Sequence, residues 1–258
     1  MLVDSHCHLD RLDLTPYSGD FSGVIEHAHA AGLSRMLCVS INLADYVAMR
    51  QLVAAWMEID VSVGVHPNEG ETAAATEAEL LALGADPRVV AIGETGLDYH
   101  WQDCPVAVQQ ERFRAHIRAA QALQKPLIVH CRDAAEDTLR ILREENAGSV
   151  GGVFHCFTGD WAEARQALDQ NFLISFSGIV TFKNARVLQE VARRVPRDRY
   201  LIETDAPYLA PVPMRGKPNY PAYVAHVADF IAGLQGVTVA RVAEESAANY
   251  YDLFKPRH

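Results

Sequence analysis

The sequence predicts a single α/β domain, residues 1–258, folded as an eight-stranded parallel (β/α)8 TIM barrel. Three observations point there. Eight short apolar runs are spaced from end to end of the chain, with helix-like segments between them. Metal-ligating residue types stand at or just past the C-terminal ends of five of these runs: His6 and His8 in LVDSHCH, Glu94 in VVAIGE, His130 in PLIVH, His155 in GGVFH and Asp205 in YLIETD. That end of the strands is where such barrels build their active sites. The length of 258 residues also suits the roughly 250 of one barrel.

The strand candidates are 2–6, 35–40, 60–65, 89–93, 126–130, 150–155, 172–177 and 199–204. They are largely continuous Val, Ile, Leu and Phe runs rather than alternating ones, as expected for parallel strands covered on both faces. Between them, residues 20–31 place Val24, Ile25, Ala28 and Ala31 on one face, with Gly32 as a stop. Residues 106–124 align Phe113, Ile117, Ala120 and Leu123, and Lys125-Pro126 ends that helix. Segments 221–233 and 238–247 read as terminal helices. A doubly wound open sheet would also alternate strands and helices. No GxGxxG follows the first strand, and ligands at the ends of strands one, four, five, six and eight converge only if the sheet closes.

With 49% hydrophobic residues the chain can bury a sizeable core. No Ser-, Gly- or Pro-rich stretch divides it, and no internal repeat is present. The net charge of −10 argues against capture of duplex nucleic acid by a long-range field. A phosphate-bearing substrate remains compatible, because bound divalent cations reverse the sign inside a pocket. Five cysteines, none in a CxxC pair, an N-terminus that enters the first strand directly, and no apolar run near the roughly 20 residues of a membrane span lead to the expectation of a cytoplasmic protein without a membrane partner.

Side chains at i and i+2 of a strand share a face. His6 and His8 therefore project together and Cys7 projects away; by the same parity Cys131 and Cys156 are expected to face the helix layer, buried as small apolar groups. Four imidazoles and two carboxylates exceed what one four-coordinate ion needs. They suit two divalent cations roughly 3.5–4 Å apart with one bridging carboxylate, a centre that activates water for hydrolysis. Imidazoles suit Zn2+ or Mn2+, while carboxylates and a phosphate substrate admit Mg2+.

The motifs VDSHCHLD at the start, GETGLDY at 93–99, IVHCRDA at 128–134, HCFTG at 155–159, SFSGIVTFKN at 175–184 and ETDAPYLAP at 203–211 resemble the TatD-type metal-dependent deoxyribonucleases of the amidohydrolase superfamily, and within them the YcfH-like branch. The resemblance runs over nearly the whole chain in order. It implies a β/α barrel with two metals: His6, His8 and Asp205 hold one with Glu94, and His130 and His155 hold the other, with Glu94 bridging. Superfamily relatives often bridge with a carboxylated lysine, and VVAIGE has none. The chain departs from the family pattern at His100, Cys131 and Ala206, where Tyr, Thr and Ser are commoner; none of these removes a ligand.

Asp205 and Glu203 are the candidate catalytic residues. Asp205, touching both metal and water, is a natural general base, or else a ligand alone. Glu203 shares its face and orients ligands, or else is a buried ion-pair partner. His66 in GVHP is expected to face the pocket and touch substrate phosphate or make a supporting hydrogen bond. Arg132 is placed to bind phosphate, or else to pair with Asp133. Lys183, Arg215 and Lys217 lie in the last loops, where barrel phosphate sites form, with plain surface solvation as their rival role. Tyr99, Trp101 and Tyr208 offer rings for unpaired bases, or else pack the loops. Asp98 reads as a loop-stabilising residue.

The function expected from this set is 3′-5′ exonucleolytic hydrolysis of single-stranded DNA by water activated between two metals. The alternatives are hydrolysis of a small amide or ester or of an aminoacyl-tRNA ester, and a non-catalytic metal scaffold. DNA ends are the expected partner, and the chain is expected to act as a monomer or weak oligomer.

Overall fold

A computed structural model describes residues 1–70, 75–101 and 103–256. Its strands are β1 (Leu2–Cys7), β2 (Leu33–Cys38), β3 (Ile59–Val63), β4 (Val89–Asp98), β5 (Leu127–Arg132), β6 (Gly152–Phe154), β7 (Phe172–Phe176) and β8 (Tyr200–Ile202). Each pairs in parallel with the next. The helices α1 (Phe21–Ala30), α2 (Leu43–Leu52), α3 (Glu77–Gly84), α4 (Val106–Leu123), α5 (Ala135–Glu144), α6 (Trp161–Asp169) and α7 (Arg186–Arg194) alternate with them, and α8 (Val224–Gln235) and α9 (Val239–Phe254) follow β8. This is the (β/α)8 barrel that the sequence predicts.

Local chemistry fixes the helix starts. Asp20, Asn42, Asp160 and Thr238 each accept a backbone N–H in the first turn of their helix, and Thr76 with Glu79 forms a reciprocal capping box. β4 runs five residues past the end expected from sequence. Thr95 to Asp98 pair with Val129 to Arg132 of β5, so GETGLD continues the strand. Gly96 makes this possible: at φ +138 a Cβ there would lie 2.0 Å from the His130 carbonyl oxygen.

The larger apolar cluster lies between strands and helices and includes Phe113, Ile117, Leu127, Phe172 and Tyr200. A smaller one gathers Val3, Leu37, Ile128, Val153, Leu173 and Leu201 with Tyr250 and Phe254 of α9. Ile128 and Val153 share strand parity with His130 and His155, so this cluster fills the barrel beneath the ligands. Tyr250 donates to Asp60 Oδ2 at 2.6 Å and Asp60 pairs with Arg35 at 2.8 Å, closing the end away from the site.

The seam between β1 and β8 is closed in part by a side chain. Asp4 accepts the Thr204 N–H at 2.9 Å and contacts the Thr204 hydroxyl at 2.5 Å. Beyond it, Asp205 N–H donates to the His6 carbonyl and His8 N–H to the Ala206 carbonyl. Burial pushes the Asp4 carboxyl up to about 8, against the opposing pull of its Thr204 contacts. Among the described residues no single helix is long and apolar enough to cross a membrane.

Candidate metal centre

The strand ends bring His6, His8, Glu94, His130, His155 and Asp205 to one cavity-facing cluster. Glu94 lies at its middle, and its two oxygens face different partners. Oε1 is 2.6 Å from His155 Nε2 and 3.0 Å from His130 Nδ1; Oε2 is 3.3 Å from His6 Nε2 and 3.7 Å from His8 Nε2. Asp205 Oδ1 stands 3.4 Å from His8 Nε2 and 3.8 Å from His6 Nε2. Asp205 takes φ +57, an uncommon conformation for a residue with a side chain. Its N–H bond to His6 and the Tyr208 N–H bond to its own carbonyl hold it there.

Proton placement follows from the outer contacts. His8 Nδ1–H donates to the Val39 carbonyl at 2.9 Å, leaving Nε2 as a lone pair. His130 Nε2–H donates to Asp98 Oδ2 at 2.9 Å, leaving Nδ1. These lone pairs point into the cluster: His8 Nε2 is 3.3 Å from His6 Nε2, and His130 Nδ1 is 3.3 Å from His155 Nε2. Each contact closes either through a proton on the facing ring or through a cation between the two nitrogens.

The titration behaviour says the same. Burial disfavours charge on Glu94, but the surrounding imidazoles overcome it and hold its carboxyl well below the usual range. Burial likewise opposes charge on His155, and Glu94 with Glu203 still lifts it well above an ordinary imidazole. Against the same burial, Asp98 and Glu94 raise His130, and Asp205 raises His8. His6 is lowered by burial and by His155 stacked on it. Three close groupings have ligand spacing: His6, His8 and Asp205; His66, Glu94 and His130; and His6, His155 and Glu203. The donor set and its unshared lone pairs fit divalent cations.

His66 faces the cavity as expected, with Nε2 3.2 Å from His130 Nδ1. Its Nδ1 accepts the Asn68 N–H at 3.1 Å, so a neutral ring carries its proton on Nε2, which also lies 3.4 Å from Glu94 Oε1; in that state His66 is a donor and not a cation ligand. Burial, with His130 beside it, pushes His66 down to about 3, which keeps it neutral. Glu203 is fully buried behind His155. Oε1 accepts the Cys156 N–H at 2.7 Å, Oε2 accepts the Ser175 hydroxyl at 2.5 Å, and His155 Nδ1 is 3.5 Å away. It is not among the described residues on the cavity wall.

The cavity holds about 790 Å3. Arg132 lines it, with its guanidinium 5.5 Å from the Trp101 ring; Asp133, its alternative partner, pairs with His100 instead. Trp101 and Tyr208 line the mouth, at 58% and 51% exposure. Tyr99 does not; its hydroxyl is tied to Asp137 and Gln110. Lys183 and Arg215 are not brought to the cavity among the described residues. Lys183 stands exposed, and Arg215 lies over Phe182 at 4.3 Å. Lys217 lines a separate pocket.

The cysteine expectation divides. Cys7 lies in the larger core with its thiol on the Leu37 carbonyl. Cys131 packs against that core and also reaches the cavity wall. Cys156 does not face the helix layer. It follows the end of β6, takes φ +43, and lines the cavity with Sγ 3.1 Å from Ser177 Oγ; strand parity does not extend past the strand.

Sequence reasoning missed two supports. Asp98 does stabilise its loop, accepting the His100 and Trp101 N–H groups, but it also holds His130 and accepts Asn68 Nδ2–H at 3.0 Å. From α4, Arg112 donates to the carbonyls of His66, Glu69 and Gly70, and His116 accepts the Val65 N–H at 3.0 Å. Together they clamp the loop that presents His66 and Asn68. A His one helical turn after an Arg carries no signal of this kind without the fold.

Known proteins place this geometry. A family model described as TatD related DNase matches residues 3–255. The uncharacterized metal-dependent hydrolase YcfH of Escherichia coli (strain K12) is 49% identical over 98% of this chain and 95% of its own. YabD of Bacillus subtilis (strain 168), also described as an uncharacterized metal-dependent hydrolase, is 42% identical over 99% of each. A Klebsiella pneumoniae (strain 342) protein named 3′-5′ ssDNA/RNA exonuclease TatD is 32% identical over 94% of this chain and 95% of its own. Among solved structures, the TatD homologue YjjV of Escherichia coli K12 superposes with a TM-score of 0.89 at 26% identity, covering 98% of both chains. A β/α barrel with an imidazole-and-carboxylate cluster at its mouth, in a chain this similar to proteins described as metal-dependent hydrolases, defines a metal-dependent hydrolase. The chain belongs to the TatD family.

Proposed function

We propose that the chain hydrolyses phosphodiester bonds of DNA, working 3′ to 5′ on single strands, at a centre of two divalent cations. His6, His8 and Asp205 would hold one, His130 and His155 the other, with Glu94 between. The observation that carries this reading is the division of the Glu94 carboxylate, Oε1 toward His130 and His155, Oε2 toward His6 and His8. Cations bound there lower the pKa of water and stabilise charge on the attacking and leaving oxygens.

The protein's own groups supply the rest. Asp205 lines the cavity, and His8 beside it outweighs the effect of burial to keep it ionised, the state that accepts a proton from water. His66 presents Nε2–H to a substrate oxygen. Glu203 and Asp98 hold His155 and His130 in place. Arg132 offers a guanidinium to phosphate, and Trp101 and Tyr208 offer rings to unpaired bases. Strand polarity and single-strand preference follow the name of the Klebsiella relative.

A second reading has its own support. Among the described residues, Arg132 is the single Lys or Arg on the cavity wall, and Ile41, Ile179 and Leu209 share that wall. Such a lining also accepts a small ester. The deciding experiment loads the chain with Mg2+, Mn2+ or Zn2+ and presents end-labelled single-stranded oligonucleotide beside a panel of aryl esters. Shortening from the 3′ end, lost in Glu94→Ala and His130→Ala, is the expected result. Ester turnover without oligonucleotide cleavage would overturn the DNA reading, and full activity in Glu94→Ala would overturn the two-cation centre.

A further inference from the structure

The segment after β1, His27 of α1 and the segment after β8 form a second pocket, of about 430 Å3, walled by Tyr17, His27, Tyr220 and Tyr223 with Lys217 beside them. The rings brace one another. Tyr17 and His27 share a hydrogen bond of 2.6 Å between hydroxyl and Nδ1. Tyr17 meets Tyr220 edge to face at 5.2 Å, and His27 meets Tyr223 the same way at 6.0 Å. Tyr220 is buried, and its hydroxyl donates to the Asp13 carbonyl at 2.9 Å. The pocket is therefore formed before any ligand arrives, which lowers the ordering cost of binding. Lys217 is exposed and has no carboxylate partner among the described residues, in a chain of net charge −10.

One loop joins this pocket to the metal centre. The Asn219 side-chain amide donates to the Thr204 carbonyl at 2.8 Å and to the Tyr208 carbonyl at 2.6 Å. Tyr208 stands on the rim of the catalytic cavity, and Tyr220 follows Asn219 into the second pocket. The segment from Tyr208 to Tyr220 thus runs from the rim of one pocket to the wall of the other.

We propose that this pocket is a second base-binding site for single-stranded DNA, taking a nucleotide remote from the reacting end, its base against the tyrosines and its phosphate on Lys217. The inference rests on the DNA reading above. Flat aromatic walls accept the face of any base without choosing among them, and an unpaired cation beside an apolar pocket favours a ligand that joins a ring to an anion. A strand of DNA repeats that combination at every nucleotide.

The test titrates the full chain, in chelator, with end-labelled oligothymidylates from a dinucleotide upward, read by fluorescence anisotropy. Wild type should show a step in affinity once the strand is long enough to reach the pocket. Tyr223→Ala should lose that step, about 5- to 100-fold, while binding the dinucleotide as before; Tyr223→Phe should keep it. Lys217→Glu, a surface change that decides the matter if Tyr223→Ala does not fold, should weaken long strands and lower the salt dependence by about one ion. A step that survives both Tyr223→Ala and Lys217→Glu overturns the site. So does the absence of a step in wild type, including the case where free thymidine monophosphate binds as well as any strand. Cleavage of the dinucleotide by metal-loaded chain is read in parallel. A Tyr223-dependent step without cleavage keeps the site and sinks the hydrolysis reading; cleavage without the step sinks the site alone.

Discussion

Asp98 Oδ2 accepts the Nε2–H of His130 across 2.9 Å, and this contact decides which imidazole nitrogen is left for a cation. Asn68 braces the same oxygen. Removing a carboxylate in this position from a metal-bound histidine costs roughly 10–100-fold in affinity. Asp98→Ala is expected to weaken Mn2+ or Zn2+ binding by that amount, and Asp98→Asn by less, because its amide oxygen still accepts the proton. Competition with a chromophoric chelator measures both. Unchanged affinity in Asp98→Ala would show that the ring does not depend on this partner.

Asp205 and Glu203 are two residues apart and are expected to respond differently. Asp205 faces the cavity, whereas Glu203 touches His155, Ser175 and the Cys156 N–H. Asp205→Asn should lower kcat on a single-stranded oligonucleotide by at least about 100-fold, the lower range for loss of a general base. Glu203→Gln keeps an acceptor and a donor for its neighbours, so its loss should be about tenfold, as for a support one step removed from a ligand. Equal losses in the two variants would place Glu203 in the reaction itself.

Cation binding should appear as stability, since a ligand that binds only the folded chain stabilises it by mass action. At ~100 times Kd the gain is ~2.7 kcal/mol, and at ~2–4 °C per kcal/mol for a chain of this size Tm should rise by roughly 5–10 °C. A thermal melt with Mn2+ and with excess chelator checks this. Glu94→Gln, which removes the charge between the two imidazole pairs, should shrink the increment by more than half.

His116 gives the expected pH dependence of the fold. Burial pushes it from 6.5 down to about 4; its Nε2 accepts the Val65 N–H and its Nδ1–H donates to the Arg112 carbonyl. The unfolded chain binds a proton near pH 6.5 and the folded chain does not until about pH 4. Its contribution is therefore complete above pH 6.5 and is lost as pH falls toward 4, by ~3 kcal/mol at ~1.4 kcal/mol per unit. His116→Gln retains one acceptor and one donor without the titration. Denaturant melts of chelated protein at pH 7 and pH 5 should show a smaller acid loss in the variant; equal losses would remove His116 from the account.

Much of this was legible in the sequence because strand chemistry is local. Continuous apolar runs ending in His6, Glu94, His130, His155 and Asp205 fix strand, face and barrel end at once. Contacts between distant segments were not legible. Asp98 reads as a loop residue because nothing in GLDY announces His130, and His116 lies on a helix face where an imidazole and an apolar neighbour look alike. Loop number alone puts Lys183 and Arg215 near phosphate, yet the Arg215 guanidinium lies over Phe182. The apolar run that marks β4 in the sequence ends at residue 93, whereas Gly96, without a side chain, lets the strand continue beside His130.

The contact between Asp4 and Thr204 joins positions 200 residues apart. His6 and His8 lie on one side of that join and Asp205 on the other, so the grouping of these three draws on both ends of the chain. A ribosome must release almost the whole polypeptide before these donors can meet. A chain that ends before residue 205 lacks Asp205 and keeps the other five donors. The grouping of His6, His8 and Asp205 is therefore complete only once β1 and the end of β8 have met, whereas Glu94, His130 and His155 come together from the middle of the chain.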